Sequence, residues 1–295
     1  MAATSRNLAQ ALVLGVGRPV FRLLERVAPN AGGTLVRRLW CTPPRAYLPP
    51  GEPLPPGRRS TVAVKAGQAA VEEWGDGPTV YLLHGWGGRR GDLDAFVAPL
   101  VAAGLRAVAI DVPGHGAAGA GRFGGRRTVL TEFSDTVAAV VAANGPAFGI
   151  IGHSAGATAA AVSVLDGTPA SRLALIAPMG RLQYYTGQFR TAFGYGDRVE
   201  AQFHRQLEVW SGRPHDDWDI AGYAADRDGL PPVLVVHDEK DRRNPAAHGE
   251  AIARAWPGAE LRLTTGLGHS RILRDPTVVK SVVTYFTDAL DDLGS

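Results

Sequence analysis

At 295 residues, 45% hydrophobic and 20% charged, the chain has an ordinary globular composition and is long enough to bury a core without disulfides. Its single cysteine, Cys41, excludes a disulfide scaffold and predicts a reducing, cytoplasmic compartment. No apolar run reaches the roughly 18 residues of a membrane span, and a net charge of +3 is too small to predict a nucleic-acid partner.

Residues 6–28 predict an amphipathic helix. Leu8, Leu12, Val16, Val20, Leu24 and Val27 recur at spacings of three and four, Arg18, Arg22 and Arg26 line another face, and Pro19 is a flaw in the pattern. The segment is basic, because residues 1–41 hold six arginines against Glu25 alone. A helix of this kind either packs its apolar stripe on the core or a partner chain, or makes peripheral contact with an anionic membrane; the sequence leaves both open. Arg18 interrupts the apolar run too early for a signal peptide, and no small-residue cleavage site is evident. A short apolar piece over 34–40 follows. Seven of the chain's 21 prolines then fall between Pro43 and Pro56, which predicts an extended connector. Residues 1–59 are read as an N-terminal amphipathic helical segment and a proline-rich connector.

From about Ser60 the pattern becomes one of short β-branched strands, expected at 61–65, 69–74 and 79–83. Strands at 106–110, 147–151, 172–176, 233–237 and 260–264 then alternate with helices at 92–103, 129–143, 155–165, 245–255 and 276–290. This alternation predicts an α/β fold with a parallel sheet and helices on both faces. It breaks over 178–230, an insertion that holds nine of the 22 aromatic residues and should therefore cover apolar surface. The main domain is then 60–177 with 231–295.

The strongest chemical signal is Gly152-His153-Ser154-Ala155-Gly156, between the apolar run ending at Ile151 and a helix-forming stretch. Strand, sharp turn, helix is the context that lifts a serine hydroxyl to the sheet's end, and it makes Ser154 the candidate nucleophile. A serine needs a base. Gly266-Leu267-Gly268-His269 follows a predicted strand, so His269 lies on a strand-end loop at the same sheet edge. Its orienting carboxylate is expected from His237-Asp238-Glu239-Lys240-Asp241: Asp241 first, with Asp238 behind it as the alternative acid or else a cap or brace of the loop. The backbone N–H groups of Trp86, in His84-Gly85-Trp86-Gly87-Gly88, and of Ala155 are the candidate oxyanion donors. Gly119–Gly124 matches G-x-G-x-x-G but lacks the strand-to-helix setting of a nucleotide site. His215-Asp216-Asp217 has no second ligand cluster at metal spacing. No cofactor and no metal are predicted.

Taken with Asp111-Val112-Pro113-Gly114-His115-Gly116, these segments resemble the α/β-hydrolase superfamily across about residues 60–290. The resemblance implies a mostly parallel eight-stranded sheet, a small helical cap at 178–230, and a Ser154, His269 and Asp241 triad. It departs from the pattern at Ala118, where serine or threonine is common, and at Arg242 and Arg243, where apolar residues are usual. The activity expected is cleavage of a carboxylic ester or thioester with an apolar acyl part. Carbon–carbon bond hydrolysis and cofactor-free haloperoxidation use the same residues, and a non-catalytic binding module keeps the fold without the reaction. The oligomeric state is not legible.

Overall fold

The computed structural model describes residues 17–45, 47–51, 53–225 and 227–294. They divide into two compact units: residues up to Thr42 with Arg181–His215, and Pro43–Gly180 with the chain from Asp216 onward. No helix among the described residues is long and apolar enough to cross a membrane.

The larger unit is built on one eight-stranded sheet: β1 (Arg58–Val64), β2 (Gly67–Trp74), β3 (Thr79–Leu83), β4 (Arg106–Asp111), β5 (Gly149–His153), β6 (Leu173–Ile176), β7 (Val233–Asp238) and β8 (Glu260–Thr264). Its order is β1-β2-β4-β3-β5-β6-β7-β8. The first hairpin pairs antiparallel, as does β2 with β4; every other pairing is parallel. The central strands are apolar throughout because both faces are covered. Alternation within β3 shows it: Tyr81 and Leu83 pack with Phe133 and Val137 on one face, Val80 and Leu82 with Phe96 and Val282 on the other.

The first face is covered by α4 (Leu130–Asn144), α5 (Ala155–Leu165), α8 (Ile220–Ala224) and α9 (Ala246–Ala255), the second by α3 (Asp94–Ala102) and α11 (Pro276–Gly294). All residues of α5 are buried, and most are alanine, glycine or valine. A helix apolar all round belongs inside, and small side chains let its first turn approach the sheet. A Cβ on Gly156 would sit 2.3 Å from the His84 carbonyl oxygen and 2.6 Å from that of Leu83.

The smaller unit joins α1, helical over 17–27, and α2 (Pro29–Trp40) to α6 (Leu182–Phe193) and α7 (Asp197–Ser211). The predicted helix over 6–28 lies partly outside the described residues; within them it ends at 27, and Pro29 opens the next helix at a position where its missing N–H has no partner to lose. Phe21 meets Phe193 edge-on at 5.8 Å, and Trp40 meets Phe189 and Phe203 at 5.5 and 5.8 Å. Several insertion rings thus cover the N-terminal helices. Glu25 accepts from the N–H groups of Gly196, Arg198 and Val199, capping α7. Residues 216–230, expected within the insertion, belong to the sheet unit instead. Trp218 is 2% exposed, and Ile220 and Ala224 join the sheet's core.

Candidate active site

Four strand ends supply the site: those of β3, β5, β7 and β8, the last leading into the short helix α10 (Gly268–Arg271) that carries His269. β5 runs into Ser154, whose φ of 53° and ψ of −121° place a non-glycine residue in a region L side chains avoid. The turn is tight enough that a Cβ on Gly152 would lie 2.5 Å from Ala157 Cα. Such strain persists only where neighbours over-determine it. Here the Ser154 N–H donates to the Ile176 carbonyl at 2.9 Å, and Thr158 Oγ1 donates to the Ser154 carbonyl at 3.3 Å. Ser154 stands at the N-terminus of α5, where the helix dipole favours developing negative charge.

The loop after β7 carries Asp241. It is buried, and its Oδ2 lies 2.7 Å from His269 Nδ1, while Oδ1 accepts from the N–H groups of Arg243 and Asn244 at 2.8 and 3.0 Å. Burial acts to raise its pKa. The bond and charge of His269, with the two N–H donors, outweigh that and hold it below its ordinary value of 3.8. A carboxylate accepts, so Nδ1 of His269 carries a proton, and in the neutral ring Nε2 is the acceptor. Asp238 braces the loop: it accepts from Lys240 N–H, Thr264 Oγ1 and Leu267 N–H. Arg242 and Arg243 leave the acid in place, because backbone N–H groups, not their side chains, close the turn.

His153 steadies the base. Its Nε2 donates to the His269 carbonyl at 2.9 Å and the two rings sit 4.7 Å apart. Burial pushes the His153 pKa down to about 3, aided by the neighbouring His269, so this ring stays neutral beside the base.

The glycine loop after β3 lies against the elbow: a Cβ on Gly85 would be 3.2 Å from Ser154 Cβ. Its shape is held by two buried histidines. Gly87 N–H donates to His115 Nε2 at 3.1 Å, and Val112 N–H donates to His84 Nε2 at 3.2 Å. Burial pushes His115 down to about 2 and His84 below its ordinary value, which keeps both nitrogens free to accept. The Trp86 ring stacks on Phe133 at 5.8 Å. Among the described residues, neither the Trp86 nor the Ala155 N–H meets an acceptor, so both donors are open.

The larger sheet unit thus brings Ser154, Trp86 and Ala155 to one sheet edge and pairs His269 with Asp241. Among the described residues no hydrogen bond joins the Ser154 hydroxyl to the His269 ring. Instead Asn244, 2% exposed, donates through Nδ2 to Ser154 Oγ at 3.3 Å and to the Ala177 carbonyl at 2.7 Å. No motif in the sequence marks Asn244. Its one sequence signal is its position three residues after the acid.

A family model described as the alpha/beta hydrolase family matches residues 80–281. The chain belongs to the alpha/beta hydrolase family. Solved structures of similar fold include a predicted CIB-like hydrolase from Thermoplasma acidophilum, at a TM-score of 0.59 and 17% identity, covering 79% of this chain and 98% of that one. An esterase from Rhodococcus sp. ECU1013 aligns at a TM-score of 0.56 and 20% identity, over 79% and 99% of the two chains. A bromoperoxidase from Bacillus anthracis aligns at 0.58 and 16%, over 78% and 100%. No curated protein sequence matches the chain. Ala118 leaves the Asp111 turn closed by backbone donors. Asp111 accepts from Arg90 N–H at 2.7 Å and Ala117 N–H at 2.9 Å, and Gly116, at φ 48°, has no room for a Cβ beside that carboxylate.

Proposed function

We propose that the chain is a serine hydrolase acting on carboxylic esters or thioesters, with Ser154 as nucleophile, His269 as base and Asp241 as its orienting acid. The observation that carries the reading is the 2.7 Å bond from His269 Nδ1 to a buried Asp241, near a serine held in a strained elbow. That bond selects the tautomer whose Nε2 accepts a proton. On attack, the Ser154 Oγ–H proton passes to His269 Nε2 as Oγ bonds to the acyl carbon, and Trp86 and Ala155 N–H groups receive the oxyanion. His269 returns the proton to the leaving oxygen or sulfur. A water, deprotonated by the same nitrogen, then bonds to the acyl carbon; the acyl–Oγ bond breaks, His269 returns the proton to Ser154 Oγ, and the acid leaves. The Ser154–His269 bond closes as substrate binds, with the Asn244 amide still donating to Oγ, consistent with catalytic bonds that tighten only in the Michaelis complex.

A fluorophosphonate probe with a p-nitrophenyl ester and acyl-thioester panel graded by chain length tests this. The wild-type chain is expected to be labelled and to turn over esters, and Ser154→Ala to lose labelling and lower kcat by a factor on the order of 10⁴–10⁶. Labelling that survives Ser154→Ala removes the nucleophile assignment. A wild-type chain that neither labels nor hydrolyses any ester points to a binding module. Turnover of a vinylogous 1,5-diketone, or halogenation with peroxide, in place of ester cleavage would assign one of the other reactions of this residue set.

A further inference from the structure

Helix α1 has two faces with different fates. Phe21 is 1% exposed and packs on Phe193 and Tyr195, and the carboxylate of Glu25 is spent on the N-terminus of α7. Val20, Leu23 and Val27, on the outer arc, are 42%, 60% and 69% exposed. Their spacing of three and four puts them in one stripe. Arg22 and Arg26, also exposed, run along its border, and Arg198 anchors beside them by donating to the carbonyls of Glu25 and Arg26. The outer arc holds no acidic and no aromatic side chain.

From this arrangement we infer that the outer face of α1 docks on an anionic lipid surface. Three aliphatic side chains are too small a patch to supply a stable protein interface, which buries about 800 Å² per partner and draws its energy from aromatic anchors. A bilayer demands less: shallow burial of a narrow aliphatic stripe, with guanidinium groups at its edge meeting lipid phosphates. Arginine suits that edge because its planar fork pairs with phosphate oxygens. The inner face of the helix is already held by its own unit, so the stripe is presented in place and needs no folding on binding. This inference is independent of the hydrolase reading.

The test is sedimentation of the full chain with vesicles of phosphatidylcholine alone and of phosphatidylcholine with phosphatidylglycerol. Wild type is expected to bind the anionic vesicles at least tenfold more strongly than the neutral ones, and to release them as salt is raised. Leu23→Glu with Val27→Glu should reduce that binding at least tenfold. Arg22→Gln with Arg26→Gln should weaken binding to anionic vesicles and leave the neutral ones unchanged. Both double variants change exposed positions and are expected to keep the wild-type circular dichroism and ester turnover. Equal binding to both vesicle types, no binding to either, or variants that bind like wild type would overturn the inference. So would light scattering that shows a dimer dispersed by Leu23→Glu with Val27→Glu in a chain that ignores vesicles.

Discussion

Asn244 touches the two described non-glycine residues with positive φ, Ser154 at 53° and Ala177 at 47°. Its side-chain amide therefore has two effects that one substitution separates. Asn244→Leu keeps the volume and removes the donor. Loss of the N–H that stabilises Ser154 Oγ as it gives up its proton should lower kcat by roughly tenfold to a hundredfold with little change in KM. Leaving the Ala177 carbonyl without its donor should cost about 1–3 kcal/mol of stability. Steady-state kinetics on a soluble ester and thermal unfolding read the two; a lower stability with unchanged kcat would make Asn244 structural only. The candidate triad itself is legible in sequence because each member is tied to a local pattern: a glycine-flanked serine after a strand, a histidine in a glycine turn, an aspartate just past an apolar run. Asn244 carries no such pattern. Its role arises from a contact across 90 positions of chain.

At the scale of elements, the elbow depends on how closely α5 approaches β3. The backbone of Gly156 occupies space that any Cβ would share with the carbonyls of Leu83 and His84. Backbone on a central strand cannot swing aside as a side chain can. Gly156→Ala is accordingly expected to destabilise the protein by about 1–3 kcal/mol, or more if the strand must shift. Chemical denaturation measures this, and fluorophosphonate labelling should slow in parallel because His84 leads into the Trp86 loop. A stable, fully labelled Gly156→Ala would mean that α5 can move without disturbing the site. The strands were legible because a sheet covered on both faces requires continuous apolar runs and leaves little room for another reading. The helices at the N-terminus were less so: an apolar stripe shows that a face is buried, not what it is buried against.

For the whole molecule, pH links to stability through buried carboxyls of opposite tendency. Glu132, on α4, is 2% exposed and accepts from Arg122 N–H at 3.2 Å. Burial dominates, and pushes its pKa up to about 7. An acid with a raised folded pKa keeps its proton in the folded protein after the unfolded chain has released it. Stability therefore falls as pH rises from 4.5 toward about 7. The loss is on the order of 3 kcal/mol. Glu132→Gln carries a permanent neutral amide and should remove that slope, seen as melting temperatures that differ less between pH 5 and pH 8 than those of wild type. An unchanged slope would place its origin elsewhere. Asp241 acts in the opposite sense. Its depressed pKa contributes stability that is present above 3.8 and is lost as pH falls through its folded value, so the two windows do not overlap.

By itself the sequence determined the doubly covered sheet, the strand-end positions of Ser154, Asp241 and His269, and the basic amphipathic start, because each is written in short-range periodicity and in the backbone needs of glycine turns. Only the tertiary structure decided the Asn244 contact, the buried histidines that shape the glycine loop, the pairing of the N-terminal helices with α6 and α7, and which apolar stripe of α1 stays exposed. Those depend on which surfaces meet across long stretches of chain, and local spacing carries no record of the partner.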